Sequence, residues 1–260
     1  LTWMCFSLGA QKIIDLSGKW SFSIDRQDNG EKEKWFSHTL NDCINLPGSM
    51  PEKLKGDEVT AKTQWTGSLY DSSYYYNPYM EKYRKEGNIK FPFFLTPDKH
   101  YVGAAWYQKE VNIPADWKGE RILLFLERPH IETTVWVNGQ KTGMQNSLCV
   151  PHQYDITHYV RPGKCTITIR VDNRIKEINV GPDSHSITDQ TQGNWNGIVG
   201  RICLQTTPKT YFDDIQIYPE PEQKLARVKV VIKGAGITKI KLSAESFNTD
   251  KKHIVPAIQQ

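Results

Sequence analysis

The octad Lys164-Cys165-Thr166-Ile167-Thr168-Ile169-Arg170-Val171 alternates without a break. In an extended chain successive side chains leave opposite faces, so Cys165, Ile167, Ile169 and Val171 share one side while Lys164, Thr166, Thr168 and Arg170 share the other. A strand with one apolar face needs a second layer to cover it. The octad therefore predicts one member of two stacked sheets. Upstream, Ser17 to Ile24 repeats the pattern, with Trp20, Phe22 and Ile24 on one face. Trp106 to Ile113, Arg121 to Leu126 and Thr133 to Val137 are further runs, the last closing on Asn138-Gly139, a pair suited to the positive φ values of a tight hairpin. Helical periodicity is scarce, and the chain reads as all-β.

The composition agrees with a packed core. Of 260 residues, 38% are hydrophobic and 24% charged, which excludes disorder as the general state. No stretch approaches the roughly 18 apolar residues that cross a bilayer as a helix. The charge of +4 is spread over 33 basic and 29 acidic residues with no basic run, so nucleic acid is not an expected partner. Five cysteines lie far apart with no CxxC and no zinc-ligand spacing. They read as buried thiols, with one bridge open. His130, His152 and His158 show no ligand spacing either and read as solvated or hydrogen-bonded.

Residues 1–12 are apolar and uncharged up to Gln11, and Ser7-Leu8-Gly9-Ala10 resembles the small-residue end of a secretory signal. A signal remnant and a secreted or periplasmic location are expected, with an apolar first strand as the alternative. Residues 13–208 form the main domain. From Thr63 to Val102 the rhythm breaks into a Tyr-rich insertion, with a short helix expected near Pro78 to Lys85. After Pro208, three strand-like runs (Asp213 to Tyr218, Arg227 to Lys233, Lys239 to Ala244) suggest a second sandwich over 209–260. Fifty-two residues are about half of what a complete immunoglobulin-like domain needs, so it is expected to be incomplete.

Trp106-Tyr107, the Pro114-to-Trp117 corner, Leu124 to Glu127, Val135-Trp136-Val137-Asn138-Gly139, Tyr154-Asp155-Ile156-Thr157 and Val171-Asp172-Asn173 follow one another in a characteristic order. Together with Ser17-Gly18-Lys19-Trp20 at the start and Asn194-Trp195-Asn196-Gly197-Ile198-Val199-Gly200-Arg201-Ile202 at the end, that order resembles the N-terminal sugar-binding domain of glycoside hydrolase family 2. The resemblance implies a jelly-roll β-sandwich, then an immunoglobulin-like domain and a (β/α)₈ barrel with two catalytic glutamates. No barrel fits in 260 residues of β pattern, since it takes about 250 alone. The expected function is therefore the non-catalytic part of a β-galactosidase-like retaining hydrolase, with a carbohydrate substrate and the barrel as partners. No catalytic residue is assigned to this chain. A free-standing carbohydrate-binding module and a protein-binding adhesion or scaffold domain are the alternatives. No cofactor is implied, and a metal ion in the complete site and a homo-oligomer stay open.

Two segments carry sugar-binding chemistry. Asp189, Gln192, Asn194 and Trp195 cluster around Gly193, joining planar polar groups for vicinal hydroxyls to an aromatic face for ring C–H patches. An aspartate a few residues before the Gly-Ile pair reaches the active-site edge in the resembling enzymes; here Thr191 holds that position and Asp189 lies two residues earlier. In the insertion, Asp71 and Tyr74, with Trp65, Tyr70, Tyr75 and Tyr76 nearby, suit contact with substrate or barrel. The alternative for both segments is packing within the domain. Both are expected at the same end of the sandwich. Asn138, Asp155 and Thr157 read as turn and backbone-bonding residues.

Overall fold

The computed structural model describes residues 12–67, 72–93, 95–176, 184–234, 240–241, 244–248 and 251–255. The chain divides into two compact units, Leu1–Thr207 and Pro208–Gln260. In chain order the strands are β1 Ile13–Asp15, β2 Gly18–Asp25, β3 Asp42–Leu46, β4 Gly48–Ser49, β5 Asp57–Glu58, β6 Lys99–His100, β7 Ala104–Ile113, β8 Arg121–Pro129, β9 Glu132–Val137, β10 Gln140–Asn146, β11 His152–Asp155, β12 Gly163–Asp172, β13 Gly197–Thr207, β14 Tyr211–Glu220, β15 Leu225–Lys233, β16 Ala244–Asn248 and β17 Lys251–Val255.

In the first unit one sheet runs β1-β13-β8-β11, with β4 beside β13, and a six-stranded sheet runs β10-β9-β12-β7-β2-β3. All pairings are antiparallel. The two sheets stack. Cys165, Ile167, Ile169 and Val171 of β12 are fully buried against Leu124 and Leu126 of β8 and Ile198, Ile202 and Leu204 of β13, with Trp20, Phe22 and Tyr107 in the same cluster. Each such side chain contributes about 1.5–3 kcal/mol of burial. The hairpin at Asn138-Gly139 has φ of 51° and 77°, the left-handed values its two residues suit. The Asn138 side chain is used inside the fold: its Oδ1 accepts from Thr166 N at 3.0 Å and its Nδ2 donates to Tyr159 O at 3.1 Å. Asp155 Oδ1 accepts from Thr157 N, and Thr157 Oγ1 accepts from Ile122 N, so both close the corner onto β8.

On the polar face of β12, Thr168 and Arg170 are buried as well. Residues 26–41 cross that face and cover it. Trp35 and Phe36 pack on Trp106 and Trp136, with Phe36 and Trp136 stacked at 5.2 Å. Gln108 Nε2 donates to His38 O and Thr168 Oγ1, and Arg170 Nη2 donates to Asp28 Oδ1 at 2.6 Å. Asp25 pins the segment's start by accepting from Asn29 N, Gly30 N and Trp106 Nε1, each at 2.9 Å.

The insertion folds as a small aromatic annex. Its helix, α1, is Ser73–Tyr76, followed by a 3-10 turn over Pro78–Tyr83 capped by Asn77. Regular structure thus begins earlier and winds tighter than the helix expected over 78–85. β5 and β6 tie the insertion's ends together.

In the second unit β14 pairs β15 and β16 pairs β17. The first two expected runs form the β14–β15 hairpin. Half of the third falls outside the described residues, and the strand there begins at Ala244. Among the described cysteines all four are free thiols; Cys165 and Cys203 are buried, but Cys43 and Cys149 are exposed. Residues 1–11 lie outside the described residues.

A Cβ at Gly30 would meet Trp106 Nε1 at 2.5 Å and Asp25 Oδ2 at 2.7 Å. Gly30→Ala is expected to destabilise the chain by about 1–3 kcal/mol in urea unfolding and to alter the near-ultraviolet circular dichroism of the Trp106–Trp136 pair. Unchanged values for both would show that residues 26–41 do not clamp the sheet.

Candidate functional site

The turn from Ser184 to Gly193 is wound by its own backbone, with Thr188 N on Ser184 O and both Gln192 N and Gly193 N on Thr188 O. This sets Asp189 inward. Its side chain is buried, with Oδ1 accepting from Asn194 N and Oδ2 from Thr66 N, each at 2.7 Å. Asp189 N returns a bond to Thr66 O at 3.1 Å. His100 Nε2 lies 3.8 Å from Asp189 Oδ2 and 3.2 Å from Gln64 O.

Asn194 is equally occupied. Its Nδ2 donates to Thr66 Oγ1 and Asn173 O, and its Oδ1 accepts from Asn173 Nδ2 at 3.0 Å. Asn173 in turn donates to Tyr101 O and accepts from Gly103 N. Asn196 donates to Gly103 O and Val171 O and accepts from the Tyr107 hydroxyl at 2.7 Å. These buried amides satisfy the irregular backbone where strands end, which costs free energy if left unpaired. Gly197 then lets β4 approach: a Cβ there would lie 2.5 Å from Gly48 O. This is the physical need behind the Gly-Ile pair.

The structure therefore brings the insertion and the Asp189 loop together through Thr66 and His100. Their polar atoms are divided differently from expectation. Asp189 and Asn194 spend their hydrogen-bonding capacity on the chain itself. Tyr74 corrects the expectation of a ligand-facing ring: it is fully buried, stacked on Phe91 at 4.7 Å, with its hydroxyl donating to Tyr83 O. Burial suits it because Trp65, Phe91 and Phe93 supply a local apolar annex. Asp71 lies outside the described residues. Gln192 is exposed and Trp195 half-buried, and both line a cleft of about 450 Å³ with Leu95, Pro97, Asp98 and Glu52. Tyr75, Tyr76 and Tyr79 are exposed. Sequence reasoning missed Thr66, His100 and Leu95, which lack a motif; Asn173 was visible as the end of Val171-Asp172-Asn173.

Beneath the cleft, Trp195 meets His130 edge-on, ring centroids 4.5 Å apart. His130 is buried, and its Nε2 has no hydrogen-bond partner among the described residues. His152 does bond, through Thr133 Oγ1 and Ser147 O. Burial pushes the His130 imidazole down from 6.5 to about 4. Among the described residues no three His, Cys, Asp or Glu side chains could hold a metal ion, and no helix is long and apolar enough to cross a membrane.

The two stacked antiparallel sheets define a jelly-roll β-sandwich. A sequence profile described as "Glycosyl hydrolases family 2, sugar binding domain" matches residues 13–208, and the chain belongs to that family. It is 24% identical to the β-glucuronidase of Homo sapiens over 90% of this chain and 35% of that protein. With the β-glucuronidase of Paenibacillus borealis it shares 26% identity over 80% of this chain and 31% of that protein. The chain thus spans about a third of the length of the curated relatives it matches. Among solved structures, a β-glucuronidase of an uncultured Clostridium sp. has a TM-score of 0.57 at 20% identity, covering 86% of this chain and 34% of that one. That of Ruminococcus gnavus β-glucuronidase has a TM-score of 0.57 at 18% identity, with the same coverage.

The depressed His130 has a definite pH consequence. Below 6.5 the unfolded chain takes up a proton that the folded chain refuses, so the stability is full above 6.5 and lost as pH falls toward 4. The loss is on the order of 3 kcal/mol. His130→Phe should flatten this part of the stability profile measured by urea titration from pH 7 to pH 4. An identical slope in the variant would assign the acid loss elsewhere.

Proposed function

We propose that this chain is the non-catalytic N-terminal part of a retaining β-glycoside hydrolase, and that its 450 Å³ cleft forms one wall of the substrate site. The cleft carries the reading: it joins the Trp195 ring, the Gln192 amide and an exposed Leu95 on a frame held rigid by buried amides. A pocket of this size and mixture suits a sugar ring. Retaining hydrolysis needs two carboxyl groups about 5 Å apart on a rigid scaffold, a task the resemblance gives to a barrel that the described residues do not contain. The partner in the reaction is therefore a catalytic domain of the same enzyme.

The β-glucuronidase relatives favour a glucuronide as substrate, while the order of motifs alone suggested a galactoside. The stand-alone carbohydrate-binding module is less well supported, because residues 26–41 cover the outer face of the six-stranded sheet. The adhesion reading retains one favourable observation, the exposed Tyr75, Tyr76 and Tyr79. Secretion or a periplasmic location fits an enzyme acting on external glycosides.

The test uses the enzyme that contains this chain, assayed with nitrophenyl β-galactoside, β-glucuronide and β-mannoside, beside the 260-residue chain alone. The enzyme should turn over at least one substrate and the chain none. Trp195→Ala and Gln192→Ala in the enzyme should lower kcat/KM about fivefold or more, the loss of roughly 1 kcal/mol of contact, with little change in Tm. Tyr79→Ala should leave kinetics unchanged. Wild-type kinetics in both cleft variants would remove the cleft from the substrate site.

A further inference from the structure

Trp195 is the aromatic wall of the cleft, and the chain on either side of it is fixed. Asn194 Nδ2 donates to Thr66 Oγ1 and Asn173 O, while Asn196 Nδ2 donates to Gly103 O and Val171 O. Asn196 O accepts from Met50 N at 2.7 Å, and Gly197 O accepts from His130 N at 3.2 Å. With both neighbours clamped, the freedom left at Trp195 is that of the indole, which turns about two side-chain torsions with a few preferred settings. Trp195 is half-buried, so part of its ring meets the cleft and part is covered.

The covered part meets His130. The two ring centroids lie 4.5 Å apart with the planes inclined at 66°, the edge-to-face arrangement that aromatic pairs prefer. His130 follows Pro129, the last residue of β8, which pairs with Ile198 of β13. Imidazole and indole therefore project from neighbouring strand ends, and the bond from His130 N to Gly197 O fixes the distance between their backbones. Burial pushes the imidazole down to about 4, so at pH 7 the contact joins two uncharged rings.

The buried polar side chains around this loop are otherwise spent on the chain itself: Asp189, Asn194 and Asn173 all bond backbone. His130 Nε2 is buried with no hydrogen-bond partner among the described residues. A polar ring held this way costs more than an apolar ring of the same shape, so hydrogen bonding through Nε2 does not account for its place. Nor does His130 line the cleft. We infer that His130 is a positioning residue for Trp195: its ring selects the one setting of the indole that turns an aromatic face toward the sugar. The inference rests on the reading of the cleft as a substrate wall, and adds the residue that shapes that wall from behind.

The test separates the hold on the indole from the use made of it. In the ¹⁵N-labelled 260-residue chain at pH 7, nuclear Overhauser contacts should join the imidazole and indole protons, and their absence would overturn the inference whatever the variants do. His130→Leu keeps apolar volume without a ring and should broaden the Trp195 indole resonance as the side chain samples more than one setting, while that of the core Trp20 stays unchanged. His130→Phe keeps a ring and should keep the resonance sharp. In the enzyme that contains this chain, His130→Leu should raise KM about threefold or more at little changed kcat, and His130→Phe should hold KM within about 1.5-fold of wild type. In a Trp195→Ala background, His130→Leu should cause no further loss. A sharp Trp195 resonance in His130→Leu, a His130→Phe variant as impaired as His130→Leu, or an equal loss with and without Trp195 would each overturn the inference. Wild-type kinetics in Trp195→Ala would instead sink the proposed function, and the indole resonance alone would then decide whether His130 holds Trp195.

Discussion

A buried carboxylate joins segments 123 residues apart, and the shape of the candidate site depends on it. Asp189 accepts the amide protons of Thr66 and Asn194, and Thr66 returns its carbonyl to Asp189 N. In a low-dielectric setting such charge-assisted bonds are roughly twice as strong as neutral ones, and removing the acceptor would strand two donors. Asn194 extends the joint to Asn173, and Asn173 extends it to Gly103 and Tyr101 at the entrance of β7. The insertion is therefore fastened to the sandwich by polar bonds at a site where irregular backbone would otherwise be buried unpaired. Trp195 and Gln192 are displayed from the outer side of this joint.

The same economy governs the six-stranded sheet. Its inner face packs on the other sheet, and its outer face is capped by residues 26–41, anchored at one end by Asp25 and along their length by Arg170 and Gln108. Arg170 lies between Asp28, Glu132 and Asp172, so the cation is surrounded by carboxylates. These contacts hold the Asp172 carboxyl well below the usual carboxylate range, the hydrogen bonds from Arg174 and Lys176 outweighing its burial. With both faces covered, the six-stranded sheet offers no open flat face. That cover argues against this sheet as a broad sugar-binding platform.

The contrast between Asp98 and Asp189 shows how the same residue type divides its work by environment. Asp189 turns inward and is used up in fastening the loop; Asp98 stays in water. Tyr74 and Tyr79 divide in the same way, one filling the annex under Phe91 and the other 85% exposed.

Local pattern alone determined the long central strands. Period-2 alternation at Ser17 to Ile24 and Lys164 to Val171, and the Asn138-Gly139 turn, follow from backbone geometry and from which side chains leave water, so they are readable without contacts. The order of short motifs likewise pointed to the family. What tertiary structure decided is which polar side chains are free. Alternation put Thr168 and Arg170 on a polar face without showing that residues 26–41 cover it, and Asp189 and Asn194 looked like sugar ligands until Thr66 and Asn173 occupied their atoms. A side chain's hydrogen-bonding capacity is spent on whatever backbone lies nearest in space. For Asp189 that is a segment 123 residues away, and no local pattern carries that distance.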